Sequence, residues 1–144
     1  MKATLKPGLT QRFAYKVPEN KTVPYTYPES REIASMPKVF ATGFMIVLIE
    51  WVCTQLLAPH LDPGEGSVGV HVDVSHLAAT PPGMTVTVDV ELVEVAGPRV
   101  TFKVKAHDGV DLIGEGIHER FIVTWDKFNA RLATKMKQVA EMAS

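Results

Sequence analysis

The stretch that most limits what this chain can become is VFATGFMIVLIEWVCTQLLAPHL, residues 39–61. Pro37 precedes it and Pro59 interrupts its end, and the residues between are apolar on almost every side. A helix of that character belongs at the centre of a fold, covered on most of its faces. One carboxylate breaks it. Glu50 sits among Ile46, Val47, Leu48, Ile49, Trp51, Val52 and Cys53. A carboxylate left without a partner in such surroundings is costly and tends to become neutral. The segment is long enough to suggest a membrane span, but it also carries Thr54 and Gln55, and no second span is available to pair with it. A core helix in a soluble fold is the better reading.

Beyond this segment the hydrophobic period changes. DPGEG at residues 62–66 is a turn, and from Ser67 the chain alternates. Val68, Val70, Val72 and Val74 fall on one face, with Gly69, His71, Asp73 and Ser75 on the other. Residues Met84–Val95 repeat the pattern, with Val86, Val88, Val90 and Leu92 opposite Thr85, Thr87, Asp89 and Glu91. Val100–Ala106 does so again, with Phe102 and Val104 opposite Thr101, Lys103 and Lys105. Such alternation marks strands with one buried and one wetted face. The linkers TPPG, AGP and HDG are turn chemistry and suit an antiparallel meander.

Upstream, Thr10–Val17 reads as a short strand. A segment punctuated by Pro18, Pro24, Pro28 and Pro37 reads as loop or irregular helix, and its Tyr25, Tyr27, Ile33 and Met36 suggest a flap over a site. Downstream, a last strand runs from about Leu112 to Trp125, and Asp126–Ala143 reads as a polar amphipathic helix with Asp126 as its N-cap. A sheet with one buried face needs a cover, and the only strongly apolar element is the long helix. The pattern therefore predicts one α+β domain over residues 1–144, an antiparallel sheet wrapped around a central helix, the hotdog arrangement.

Composition narrows the function classes. A formal net charge of −1 gives no electrostatic reason to expect nucleic acid or an anionic membrane as partner. The lone cysteine, Cys53, excludes an internal disulfide and a cysteine-cluster metal site, and a cytoplasmic setting is expected. No apolar leader is visible at the N-terminus, and there is no Gly-rich phosphate loop, GxSxG elbow or HExxH pair. His107, Asp108 and His118 lack the spaced partners of a metal site and read as turn and strand residues.

Five positions stand out. Glu50 is the first candidate, since perturbed carboxylates cluster at active sites, although structural ion pairs also exist. His76 shares the parity of Val72 and Val74 and so should face the helix, whereas His71 has the opposite parity and reads as surface or interface. Thr42 lies at the helix start, where it is either a cap or a hydroxyl beside free backbone N–H groups suited to developing negative charge. Arg120 is either a solvated neighbour of Glu119 or a partner for an acid or a phosphate. Gly69 marks a bulge or a close ligand approach within its strand.

Several stretches carry a resemblance: YPES (27–30), VFATGFM (39–45), EW (50–51), DPGEGS (62–67), HLAATPPGMTVTV (76–88), AHDGVD (106–111), HER (118–120) and KFNA (127–130). In these the chain resembles the fluoroacetyl-CoA thioesterase family, hotdog proteins that hydrolyse acyl-CoA thioesters. The resemblance implies a catalytic Thr42, Glu50 and His76, with Gly69 and Arg120 bordering the acyl pocket. It also implies a homodimer with the site at the interface, no metal, and no cofactor beyond the coenzyme A of the substrate. The family gates its pocket with flap phenylalanines, and this chain has Ile33 and Met36 at the corresponding positions, which opens the choice of acyl group. Whether Glu50 attacks the thioester or activates water stays open, as does a non-catalytic acyl-CoA-binding module. A hotdog dehydratase would need an acid–base pair placed differently, and no matching motif is present.

Overall fold

The structure, a computed structural model, describes residues 1–143. Strand β1 (Thr10–Lys16) is followed by an irregular segment, which contains 3-10 turns at Glu19–Lys21 and Val23–Tyr25 and one short helix, α1 (Arg31–Ala34). Helix α2 (Thr42–Leu57) comes next and leads through a 3-10 turn at Ala58–His60 into β2 (Glu65–His76). Strands β3 (Thr85–Ala96), β4 (Arg99–His107) and β5 (Leu112–Thr124) complete the sheet, and α3 (Trp125–Met142) ends the chain. All neighbouring strands run antiparallel, in the order β1-β3-β4-β5-β2. Helix α2 therefore joins the two edges of the sheet and packs on β1, β2, β3 and β4 on the way.

The alternation expected for β3 and β4 is what builds the core. Val86, Val88, Val90 and Leu92 meet Val100, Phe102, Val104 and Ala106 beneath Met45, Ile49, Val52, Cys53 and Leu56 of α2. Each large apolar side chain buried in this way contributes about 1.5–3 kcal/mol. The segment Thr42–His60 is apolar enough to cross a membrane by length and composition, with a mean hydropathy of 1.5. Here it serves as the core helix, since its inward side chains are buried by the sheet.

Three expectations need correction. First, α2 is covered on one side rather than on most: Val47 and Trp51 remain 57% and 47% exposed. The five-stranded sheet wraps only the face it packs against. Second, the valines of β2 do not share one face. The register against β5 shifts between Gly69 and His71, leaving Val70 as the extra residue of a bulge. A bulge advances one strand by a residue and so reverses its alternation. Before it, Ser67 and Gly69 face α2; after it, Val72, Val74 and His76 do. Third, α3 starts at Trp125 with Thr124 at the N-cap position, and Asp126 lies inside its first turn. There its carboxylate faces the positive end of the helix dipole.

The proline-rich segment is tied down at its ends. Thr22 bridges to Phe40, Val23 donates to the Val39 carbonyl, and Ala41 donates to the Lys21 carbonyl. Phe40 in turn donates to the Thr80 carbonyl at 2.7 Å. Helix α1 is capped by Ser30, whose Oγ accepts from the Ile33 N–H at 3.2 Å.

Candidate active site

Helix α2 carries two polar groupings on the side where β2 and β5 run past it. The first is at its start. Ala41 occupies the N-cap position and offers no side-chain acceptor, so the first N–H groups of the helix keep their hydrogen-bonding capacity. Thr42 is thus not a cap. Its Oγ1 lies 2.7 Å from His76 Nδ1, a contact made at the far end of β2. His76 Nε2 is buried and has no hydrogen-bond partner among the described residues. Burial lowers the His76 pKa below the ordinary imidazole value, and the Ala78 backbone offsets this in part.

The second grouping lies eight residues along the helix, about 12 Å away. Glu50 is half-buried rather than sealed in an apolar wall, and it is paired: Arg120 Nη1 donates to its Oε2 at 2.9 Å. Arg120 is buried, not a solvated neighbour of Glu119, which turns to the opposite face toward Arg99. The guanidinium is held from several sides. Its Nε donates to Ser67 Oγ at 2.8 Å, its Nη2 to the Ser67 carbonyl at 3.0 Å, and its Nη1 also to His118 Nε2 at 3.2 Å. Pairing and hydrogen bonding of this extent are what a buried cation requires. Glu50 Oε1, by contrast, accepts no hydrogen bond among the described residues.

Gly69 makes the second grouping sterically feasible. A Cβ there would stand 2.5 Å from Glu50 Oε2, 3.3 Å from His118 Cε1 and 3.4 Å from Arg120 Nη1. Any side chain at this position would displace the carboxylate. The bulge at Val70 is what lets Gly69 and His76, seven residues apart and of opposite parity, both face the helix.

Cys53 lies one turn beyond Glu50 and is fully buried. Burial pushes its thiol up to about 12, with Glu50 adding to the shift and Arg120 opposing it. It stays protonated at neutral pH and is no nucleophile. No group of three or more His, Cys, Asp or Glu among the described residues is placed to hold a metal ion.

Within the chain, then, Thr42 meets His76, and Glu50 meets Arg120 and the backbone of Gly69. Glu50 and His76 are not hydrogen-bonded to each other. Met36 is exposed and Ile33 half-buried on the irregular segment. Sequence reasoning passed over His118 and Ser67. His118 is a strand residue, as expected, but it is fully buried and faces Arg120 and Glu50. The signal for it was parity: in β5, His118 is two residues from Arg120 and must share its face.

A sheet of this topology curled on one long helix defines the hotdog thioesterase superfamily, and a solved member from Thermus thermophilus matches at 30% identity. That match has a TM-score of 0.84 and covers 97% of this chain and 98% of the other. More specifically, the model of the fluoroacetyl-CoA-specific thioesterase family matches residues 18–126. The fluoroacetyl-CoA thioesterase of Streptantibioticus cattleyicolor is 52% identical over 135 residues, 94% of this chain and 97% of that protein. The solved structure of the fluoroacetyl-CoA thioesterase FlK superposes with a TM-score of 0.89 at 52% identity, covering 91% of this chain and 97% of that one. The chain belongs to the fluoroacetyl-CoA-specific thioesterase family.

Proposed function

We propose that this protein hydrolyses a small acyl-CoA thioester to the free acid and coenzyme A, with Thr42, Glu50 and His76 as catalytic residues. The observation that carries the reading is the arrangement at Glu50. One oxygen is fixed by Arg120 in an ion pair, while Oε1 is left unengaged. A carboxylate with one oxygen spare can take a proton from water or attack a carbonyl carbon directly.

In the first route, Glu50 removes a proton from a water molecule whose oxygen adds to the thioester carbonyl. The tetrahedral intermediate collapses, the C–S bond breaks, and the coenzyme A thiolate is protonated. In the second, Oε1 adds to the carbonyl and expels the thiolate, and water then hydrolyses the mixed anhydride. Both develop charge on the carbonyl oxygen. The uncapped first turn of α2 has N–H groups suited to that charge, with the Thr42 hydroxyl beside them. Within one chain they lie about 12 Å from Glu50, so in this reading the two groupings meet at one carbonyl across the homodimer described below. His76 is held by Thr42 through Nδ1, and its partnerless Nε2 is the nitrogen to which this reading assigns the proton transfer.

The reading needs no cofactor beyond the coenzyme A that the substrate carries, and it suits a cytoplasmic setting, where the buried thiol of Cys53 stays reduced. Gly69 and Arg120 border the acyl group beside Glu50. Ile33 and Met36 close the pocket from the flap with flexible aliphatic side chains. Such a closure discriminates weakly between acyl groups of similar size, so acetyl and other short acyl groups join fluoroacetyl as candidate substrates.

The same reading includes a homodimer. Strand β2 is a twelve-residue edge strand whose Val70 and Val72 are each 45% exposed. A long apolar edge invites pairing, and a second copy of the chain is the occupant proposed here. The uncovered Val47 and Trp51 of α2 add to the apolar surface a partner would bury.

The deciding experiment measures free thiol released from fluoroacetyl-, acetyl- and longer acyl-CoAs, alongside the Glu50→Gln variant. Turnover by the wild type, with a loss of about 10²–10⁴-fold in the variant, is expected. Saturable binding without thiol release would instead mark an acyl-CoA-binding module. Single-turnover reaction in ¹⁸O-water identifies the anhydride route where label enters Glu50, which requires water to attack the Glu50 carbonyl of the anhydride; label confined to the product acid is common to both routes.

A further inference from the structure

The geometry around β5 supports a role for a residue outside the proposed catalytic set. We propose that His118 is a positioning residue: as the neutral, Nδ1-protonated tautomer, it turns the Arg120 guanidinium onto Glu50. The inference deepens the thioesterase reading and rests on it for the effect on turnover, but not for the tautomer itself.

Two contacts fix the ring. His118 Nδ1 lies 2.8 Å from the His71 carbonyl oxygen. A carbonyl can only accept, so Nδ1 carries the hydrogen. His118 Nε2 lies 3.2 Å from Arg120 Nη1, and a guanidinium can only donate, so Nε2 must present its lone pair. Only one form of imidazole satisfies both contacts together. A doubly protonated ring would set its Nε2–H against the Arg120 cation. The Glu50 oxygen stands 3.6 Å from Nε2, too far for a hydrogen bond as placed.

The consequence lies in the arginine. Nη1 has two hydrogens: one goes to Glu50 Oε2 and the other to His118 Nε2. Nε and Nη2 are taken up by the hydroxyl and carbonyl of Ser67. Because the guanidinium is planar, an acceptor on the second Nη1 hydrogen fixes where the first one points. The bulge at Val70 contributes here too, since it brings the His71 carbonyl over the ring and Gly69 beside the carboxylate. The titratable groups facing the ring are Arg120 on its own strand and Glu50 from α2, with His71 on β2 and Cys53 beside that pair.

The primary test is long-range ¹H–¹⁵N correlation spectroscopy of the histidine side chains in the full chain at pH 7. For His118 it is expected to show protonated Nδ1 and unprotonated Nε2. A ring protonated on Nε2, or on both nitrogens, overturns the proposal. The second test compares His118→Phe, which offers Arg120 no acceptor, with His118→Gln, whose side-chain oxygen reaches the Nε2 position. His118→Phe is expected to lower kcat about 10- to 100-fold with a smaller change in KM, and His118→Gln to restore most of it. A His118→Phe enzyme with wild-type kcat, or a Gln variant as poor as a folded Phe variant, also overturns it. If His118→Phe does not fold, His118→Gln and the tautomer decide. If the wild type releases no thiol at all, the thioesterase reading falls and the tautomer still decides for His118.

Discussion

The two polar groupings on α2 are built on opposite terms. At the helix start, Thr42 and His76 share a single 2.7 Å contact between uncharged groups, and His76 Nε2 is left without a partner. Farther along, Glu50 and Arg120 are charged, and the arginine makes four hydrogen bonds to Glu50, His118 and Ser67. The first has unused polar capacity; the second has almost none except at Glu50 Oε1. The contrast suits a division of labour in which one place holds a charge still while the other lets a proton move. A fixed carboxylate needs neighbours that do not rearrange, and a proton carrier needs a nitrogen that is not already engaged.

If the two groupings differ in this way, removing one member of each should cost the fold unequal amounts. Arg120→Met strips a buried cation from a half-buried carboxylate and leaves Ser67 and His118 facing an apolar chain. The expected loss is about 2–3 kcal/mol, less than for a fully buried pair because Glu50 still reaches water. Thr42→Val removes one exposed hydroxyl from a helix end and is expected to cost less than about 1 kcal/mol. Denaturant unfolding of both variants checks this. Equal losses would mean that the second grouping is no more a structural element than the first.

A finer cut separates geometry from charge within the second grouping. Gly69→Ala keeps every charged and polar side chain, but its Cβ would lie 2.5 Å from Glu50 Oε2. The clashing atom is the far end of a flexible side chain, so the carboxylate swings away and loosens its pair with Arg120. Stability is expected to fall by about 1–2 kcal/mol, less than in Arg120→Met because Ser67 and His118 still hold the guanidinium, while turnover falls roughly tenfold or more as Oε1 leaves its place. A Gly69→Ala variant with wild-type turnover would show that the position of Glu50 is not set by this contact.

Most of the fold was legible because period-2 alternation and turn residues are local signals, and β3 and β4 follow them closely. Residue-level errors arose where a long-range fact overrode a local one. Gly69 does mark a bulge, as its place in a strand of valines suggests, but the run of alternating valines does not show that the bulge decides which side of β2 meets the helix. Parity nevertheless placed His76 on the helix side, because the residues from Val72 onward lie beyond the bulge. It put Gly69 on the wrong side for the same reason. The exposed face of α2 could not be read either, since an apolar helix does not say how many of its sides a single sheet will cover. At the site, Glu50 was conspicuous because it breaks an apolar run. His118 was not, because a histidine in a strand followed by Glu and Arg looks like an ordinary wetted face. Only the pairing of Arg120 with Glu50 reveals that the whole odd–even phase of β5 points His118 inward.

The smallest expected effect is on the pH dependence of stability, and it tests both groupings together. Burial is the largest cause of the lowered pKa at both His76 and His118. The Ala78 backbone opposes it at the first; at the second, the His71 carbonyl and Glu50 oppose it and Arg120 adds to it. A histidine whose native pKa lies below its unfolded value binds fewer protons in the folded chain than in the unfolded one. Stability then rises with pH across that window. The contribution is therefore complete above about pH 6.5, the ordinary imidazole value, and is lost progressively as the pH falls through the lowered native values. Unfolding midpoints measured from pH 7.5 down to 5 should fall in this range. His118→Gln and His76→Gln should each flatten the slope, because each removes one group that the unfolded chain would otherwise protonate first. Unequal flattening would tell the groupings apart. A larger effect from His118→Gln would locate the stronger penalty beside the fixed cation of Arg120, whereas a larger one from His76→Gln would locate it at the nitrogen that has no partner.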